Sequence, residues 1–201
     1  MVQPTSAEDD CDSQEVLNIR EFDITDIEQS SSWLILGPPG VGKSSFIEEL
    51  VMFNRHKYPL CRVICNPPPP HRRYCEIFPP SMVFQEFTLR REEAFIRQQK
   101  QKVARMAPDR YTIYIHDDSD ESKRHPFYTA LFKQGSRHWC LLTIVADQNA
   151  LEFPPAIRAS ASYVVIFRYN SMEQRKKIYN SYGGASVFHS ERLFNQLMDT
   201  F

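Results

Sequence analysis

The chain has 201 residues, a formal net charge of -1 and 42% hydrophobic residues, enough for one domain of ordinary size with a packed core. Its five cysteines, at 11, 61, 65, 75 and 140, form no pairing framework, no apolar run is long enough to span a membrane, and no signal peptide is evident. These features exclude a disulfide scaffold and a membrane-spanning helix, and the expected setting is reducing and intracellular.

The charge is unevenly spread. Residues 1–30 hold nine Asp/Glu against one Arg, whereas residues 31–201 hold 23 Lys/Arg against 16 Asp/Glu. Residues 1–20 are therefore expected to be an acidic, flexible leader, and residues 21–201 a basic domain. A basic body suits a polyanionic partner such as nucleic acid, and equally a solvated charged surface. Cys61, Cys65 and Cys75 are too irregularly spaced for a zinc site, with only His56 and His71 near them, and are read as plain thiols.

In chain order, Trp33–Leu36 is a short apolar run between Ser and Gly, the pattern of a buried strand. Ser44 to Asn54 follows with Phe46, Ile47, Leu50 and Val51 at helical spacing. Arg62–Cys65 reads as a second strand, ending in NPPPPHRRY, which is expected to be a stiff loop because proline disfavours both helix and ladder. A long helix is expected from Met82 to Arg105, carrying six Lys/Arg and three Glu. Tyr111–His116 is a third strand, and Pro126 to Gln134 a helix with proline near its start. Cys140–Val145 and Tyr163–Phe167 are the fourth and fifth strands, and residues 172–201 are helical with a break at Gly183-Gly184. Strands alternating with helices predict an α/β fold, a largely parallel sheet with helices on both faces.

Residues 37–44, GPPGVGKS, match G-x-x-x-x-G-K-[ST] at every fixed position, with a strand before and a helix after. Glycines let such a loop wrap phosphate closely, and its backbone N–H groups and the helix N-terminus face the negative charge. Gly37, Pro38, Pro39, Gly40, Val41, Gly42, Lys43, Ser44 and Ser45 are the expected nucleotide-binding segment. Lys43 is expected to reach the β- and γ-phosphates and Ser44 to ligate Mg²⁺. A second metal ligand is expected from YTIYIHDD, where Asp117 ends the third strand. Asp118 is positioned to orient or deprotonate the attacking water. Taken alone, DDSDES is simply a solvent-facing turn; beside a phosphate loop the metal role is the better reading. Strand ends at one edge of a parallel sheet face the ligand crevice, which makes Gln148 a candidate sensor of the γ-phosphate, with Asp147 competing for the place. Arg137, Arg158 and Arg168 are candidates for an arginine acting across a subunit interface, a contribution worth roughly 10³–10⁵ in rate. For any single one of them a surface ion pair is the commoner role. Absence of an N/T-K-x-D element argues for ATP rather than GTP.

The order of these elements resembles the genome-packaging ATPases of large eukaryotic DNA viruses, the poxvirus type, a branch of the FtsK/HerA translocases. The likeness rests on SSWLILGPPGVGKSSFI, VICNPPPPHRRYCEIFPP, YTIYIHDD, QGSRHWCLLTIVADQ and FPPAIRASASYVVIFRYNSMEQRKKIYNSY, over about residues 20–185. Its specific part is Gly135 with Arg137-His138 before the fourth strand, Gln148 after it, and Pro154-Pro155 with Arg158 leading into the fifth. Two features depart from the family: Ser136 separates Gly135 from Arg137, and the chain ends soon after the fifth strand, as in a compact member or one shortened at its C-terminus.

The resemblance implies a RecA-like fold and a ring of five or six identical subunits that uses ATP and Mg²⁺ to drive double-stranded DNA, without sequence preference, into a capsid. A capsid or portal component would be its partner, and the host-cell site of virus assembly, cytoplasm or nucleus, or the virion its location. Arg90, Arg91, Arg97, Lys100, Lys102 and Arg105 would then line the ring or touch phosphates, or else form a solvated face with Glu partners. Two other functions stay open at this point: a kinase-type phosphotransferase, and an ATP-gated assembly protein that hydrolyses poorly.

Overall fold

The computed structural model describes residues 20–118, 124–149, 153–183, 188 and 190–200, and the acidic leader lies outside them apart from Arg20. All five expected strands are present, each within a few residues of its expected ends. They are β1 (Ser32–Leu36), β2 (Leu60–Cys65), β4 (Thr112–Asp117), β5 (Leu141–Asp147) and β6 (Tyr163–Ile166). A two-residue strand, β3 (Val83–Phe84), joins the edge. The six run in the order β3-β2-β4-β5-β1-β6, and every neighbouring pair is parallel. Leu34 pairs with Val145 on one side and Val164 on the other, so β1 is flanked by β5 and β6. Because β5 separates β1 from β4, whatever follows β5 emerges between the chain leaving β1 and the chain leaving β4.

The helices correct two expectations. The proline run is the first turn of a helix, α2 (Pro68–Ile77), and not a loop. The first N–H groups of a helix have no intrahelical partner, so Pro68, Pro69 and Pro70 forfeit no helical hydrogen bond there. The first N–H that needs a partner, that of His71, donates to Pro67 O at 3.1 Å. The long helix expected from Met82 begins at Leu89 and runs to Ala104 as α3. Residues Pro80–Met82 form a 3₁₀ turn instead, and Val83–Phe84 pair with β2, so sheet pairing has overridden local helical preference.

The other helices are α1 (Lys43–Asn54), α4 (Pro126–His138), α5 (Pro155–Arg158), α6 (Met172–Ile178) and α7 (Glu191–Thr200). α4 extends four residues past its expected end, with Pro126 at its first position and His125 Nδ1 accepting from Phe127 N. After α6 a π turn carries the chain to Gly183, and Gly184 lies outside the described residues.

Alternate residues of each strand feed two cores. Trp33, Ile35, Val63, Cys65, Ile113, Ile115, Ile144 and Ala146 pack against α1 and α2 through Ile47, Leu50, Val51 and Tyr74. Leu34, Leu36, Ile64, Tyr114, Leu141 and Val145 pack on the other face against α3 to α7, through Ile96, Tyr128, Leu131, Phe132, Ile157, Ile178 and Phe194. Both faces are covered, and that explains why the central strands read as unbroken apolar runs rather than alternating ones.

Candidate nucleotide site

The loop from Gly37 to Gly42 joins β1 to α1 at the C-terminal edge of the sheet. Gly37 N donates to Asp147 O at 3.2 Å, which ties the loop to the end of β5. A Cβ on Gly37 would lie 2.7 Å from Phe167 Cβ and 2.9 Å from Val41 Cγ2, so only glycine fits where the chain leaving β6 crosses the loop. Gly40 and Gly42 sit at φ 75° and 101°, in the left-handed region that side chains rarely adopt. Lys43 folds over the loop and donates to Gly37 O at 2.8 Å and to Pro38 O at 3.0 Å. Burial pulls the Lys43 ammonium below its ordinary range, while Asp118, Asp117 and Asp147 act against that shift.

Asp117, at the end of β4, is buried to 1% exposure directly beneath this loop. Its carboxylate accepts from the Ser44 hydroxyl and, at 3.0 Å, from Tyr74 on α2. Burial pushes this carboxyl above the usual range, with Asp118 adding to the rise, and the two hydroxyls and Lys43 oppose it. Asp118 follows at φ 58°, a conformation that aspartate tolerates better than most residues. Its Oδ1 accepts from Gln148 Nε2 at 2.8 Å. Asp147 lies one residue before Gln148 and uses its Oδ1 to accept from Asn149 N at 2.7 Å. The Gln148 backbone is held by Tyr169, whose hydroxyl donates to Gln148 O at 3.1 Å.

These groups border a cleft of about 360 Å³ lined by Pro39, Gly40, Gly42, Lys43, Ser44 and Ser45 on one side and by Asp117, Asp118 and Gln148 on another. Gly37, Pro38 and Val41 stand behind that lining, and Gly37 and Pro38 supply the carbonyls that hold Lys43. The third wall was not foreseen from sequence: Pro67, Pro69, Pro70 and Arg73, from the start of α2 and the residue before it. Recognising the proline run as a helix start would have placed Arg73 and Tyr74 one to two turns in, beside the phosphate loop.

Of the expected arginines, none lines the cleft. Arg137 is exposed in the last turn of α4, just before β5 begins, which puts it at the opposite edge of the sheet. Arg158 closes α5 with its guanidinium 5.7 Å from the centre of the Tyr182 ring. Arg168 is exposed and lies 3.8 Å from Asp199. These positions leave all three arginines apart from this subunit's cleft lining.

Magnesium keeps several waters and takes one or two protein oxygens beside substrate phosphates, rather than a full protein cage. Ser44 and Asp117 are two such hard oxygen donors held against each other at the phosphate loop, and the buried carboxylate is short of positive charge. This donor set fits the ion. Among the described residues no group of three or more His, Cys, Asp or Glu is gathered as a cage. Also among them, no helix is long and apolar enough to cross a membrane.

No family model matches the chain. It is 31% identical to the uncharacterized protein 075L of Invertebrate iridescent virus 6 over 172 residues, covering 84% of this chain and 66% of that one. It is 30% identical to the uncharacterized protein 088R of Invertebrate iridescent virus 3 over 189 residues, covering 92% and 71%. The chain thus spans about two thirds of the length of these relatives. Among solved structures, the genome packaging NTPase B204 from Sulfolobus turreted icosahedral virus 2, in complex with ATP-gammaS, superposes with a TM-score of 0.57 at 14% identity, covering 80% of this chain and 86% of that one. The chain therefore has the α/β fold of the P-loop NTPases.

Proposed function

We propose, for a chain that belongs to the family of protein 088R of Invertebrate iridescent virus 3, the function of an ATP-hydrolysing motor that moves double-stranded DNA into a viral capsid. The observation that carries this is the meeting at one strand edge of a phosphate loop, a buried carboxylate bonded to its serine, and a second carboxylate bonded to the glutamine between them.

In this function Gly40, Gly42 and the N-terminus of α1 present N–H groups to the β- and γ-phosphates. Lys43 exchanges its two loop carbonyls for phosphate oxygens, a stronger, charge-assisted partner. Ser44 and Asp117 would hold magnesium, which neutralises charge on the β- and γ-oxygens when bound. Asp118 accepts a proton from, or orients, the attacking water, and the Gln148 amide fixes the carboxylate that does so. Because Gln148 hangs between the phosphate loop and Asp118, it is also placed to respond when the γ-phosphate leaves.

The DNA-moving part rests on the fold likeness to a packaging NTPase and on the basic domain. Arg90, Arg97, Lys100 and Arg105 are exposed on α3 and at its end, where they can meet phosphates without reading sequence. Arg158 and Arg137 lie away from their own cleft, as residues that complete a neighbour's site in a ring of five or six copies must. A capsid or portal component would be the docking partner, at the host-cell site of virus assembly.

The test is ATP hydrolysis with and without long double-stranded DNA at low and high salt, with a mass measurement of the assembly. The expected result is DNA stimulation that fades with salt and a ring-sized particle. Mixing Arg158→Ala with Lys43→Ala subunits should restore part of the activity lost by each. Hydrolysis that DNA never stimulates would refute the motor.

A further inference from the structure

We infer that Arg73 is a second phosphate-binding cation of the same subunit, held in reserve by Glu48 and drawn to the terminal phosphate of a nucleoside triphosphate. This inference rests on the nucleotide cleft proposed above, and Arg73 has no part in the mechanism given there.

The geometry begins with α2. Tyr74 anchors that helix to Asp117 at 3.0 Å, beneath the phosphate loop. The residue before it, Arg73, lines the cleft with Lys43, Ser44, Asp117 and Asp118. Arg73 Nε meets Glu48 Oε1 at 2.8 Å. Glu48 lies on α1 four residues after Ser44, hence on the same helix face and one turn farther from the loop. Arg73 is thus tethered one turn past the serine of the phosphate loop, on the wall that faces the acids.

Electrostatics explain why a tether is useful. Among the described residues Lys43 and Arg73 are the two cations lining the cleft, and a triphosphate brings several negative charges. Without nucleotide, Lys43 is shared among three carboxylates and Arg73 is paired with a fourth. Glu48 is a poor permanent partner, because partial burial disfavours its charged form even with the arginine beside it. The Arg73 side chain is 47% exposed and meets Glu48 through Nε, and no hydrogen bond to a described residue is made by its two Nη nitrogens. Those nitrogens form the fork that binds phosphate bidentately. A terminal phosphate therefore competes with one weakened carboxylate contact and offers two charge-assisted bonds in return. A diphosphate lacks the terminal group that the inference assigns to Arg73.

The inference predicts discrimination between nucleotides rather than general binding. A fluorescent ATPγS analogue and the matching ADP analogue would be titrated, with magnesium, into the full chain and into Arg73→Ala, Arg73→Lys, Glu48→Ala and Lys43→Ala. Arg73→Ala is expected to weaken ATPγS by about tenfold or more, the size of a lost bond to a charged group, and to leave ADP within about twofold. Arg73→Lys should fall between, since it keeps the charge and loses the fork. Glu48→Ala breaks the same pair from the other side, so it separates a binding role from a structural one: ATPγS affinity should hold or rise. Equal losses for both nucleotides in Arg73→Ala, or a parallel loss in Glu48→Ala, would overturn the inference and mark the pair as a helix clamp. If the unaltered chain binds neither nucleotide, or if Lys43→Ala binds both normally, the cleft itself has been misassigned.

Discussion

Tyr74→Phe deletes a single buried oxygen and probes the environment of Asp117. In the native chain the Tyr74 hydroxyl donates at 3.0 Å to a carboxylate that is 1% exposed. The phenylalanine ring fills the same space, so no cavity or orphaned group appears on α2, and the loss is that of the bond to Asp117. A hydrogen bond to a charged group is worth roughly 1.5–3 kcal/mol, against about 1 kcal/mol for a neutral one. For a chain of this size about 1 kcal/mol corresponds to roughly 2–4 °C in melting temperature, so the variant should melt roughly 3–12 °C lower near pH 8. The sign of the pH dependence follows from burial. Asp117 titrates above its ordinary value of 3.8, so its protonated form stabilises the free protein at low pH, and that contribution is lost as pH rises through the native value. The deficit of Tyr74→Phe should accordingly shrink on acidification, in the window above pH 3.8, as the charged bond becomes a neutral one. Thermal melts of both proteins without nucleotide, at steps from about pH 8 to about pH 4.5, read this directly. A deficit that is absent near pH 8, or that grows on acidification, would refute the account of the Tyr74–Asp117 bond.

Gly37→Ala forces a Cβ to within 2.7 Å of Phe167 Cβ, and should cost about 1–3 kcal/mol by thermal melting and weaken ATPγS binding as the loop shifts. Phe167→Gly removes the clashing atom, so the double variant should recover part of the nucleotide affinity in the same titration. Gln148→Ala frees Asp118 from its 2.8 Å partner and should lower kcat on the order of 10²-fold with KM little changed, measured by steady-state hydrolysis. Replacing Arg97 and Lys100, exposed on α3, with Glu should flatten the salt dependence of DNA stimulation, by about one unit of log–log slope for each DNA phosphate released, without altering hydrolysis in the absence of DNA.

Strands were legible because both faces of the sheet are covered. Trp33–Leu36 and Leu141–Val145 are buried throughout, and in a chain that alternates strand with helix a short unbroken apolar run marks a strand with helices above and below it. The phosphate loop was legible because its glycines answer backbone demands that other residues rarely meet, at Gly37 by close approach and at Gly40 and Gly42 by positive φ. Less was readable where a residue's meaning depends on its position within an element. Prolines that would break a helix interior start α2 at Pro68, and that shift of context hid Arg73 and Tyr74 as residues of the cleft and its floor. At Val83–Phe84 a strand edge captured residues that local preference assigned to the following helix. Strand order was not legible at all, yet it is what sets Gln148 between the phosphate loop and Asp118. The arginines mark the other boundary, since one chain shows only local partners such as Asp199 for Arg168 and Tyr182 for Arg158.

The central claim is that ATP phosphates are held jointly by the loop and by Asp117. Single-turnover release of phosphate from ATP, with magnesium, compared among the unaltered chain, Lys43→Ala and Asp117→Asn, tests that directly. Hydrolysis by the unaltered chain with losses on the order of 10²-fold or greater in both variants is the predicted result. Phosphate release by Asp117→Asn at the rate of the unaltered chain would contradict it.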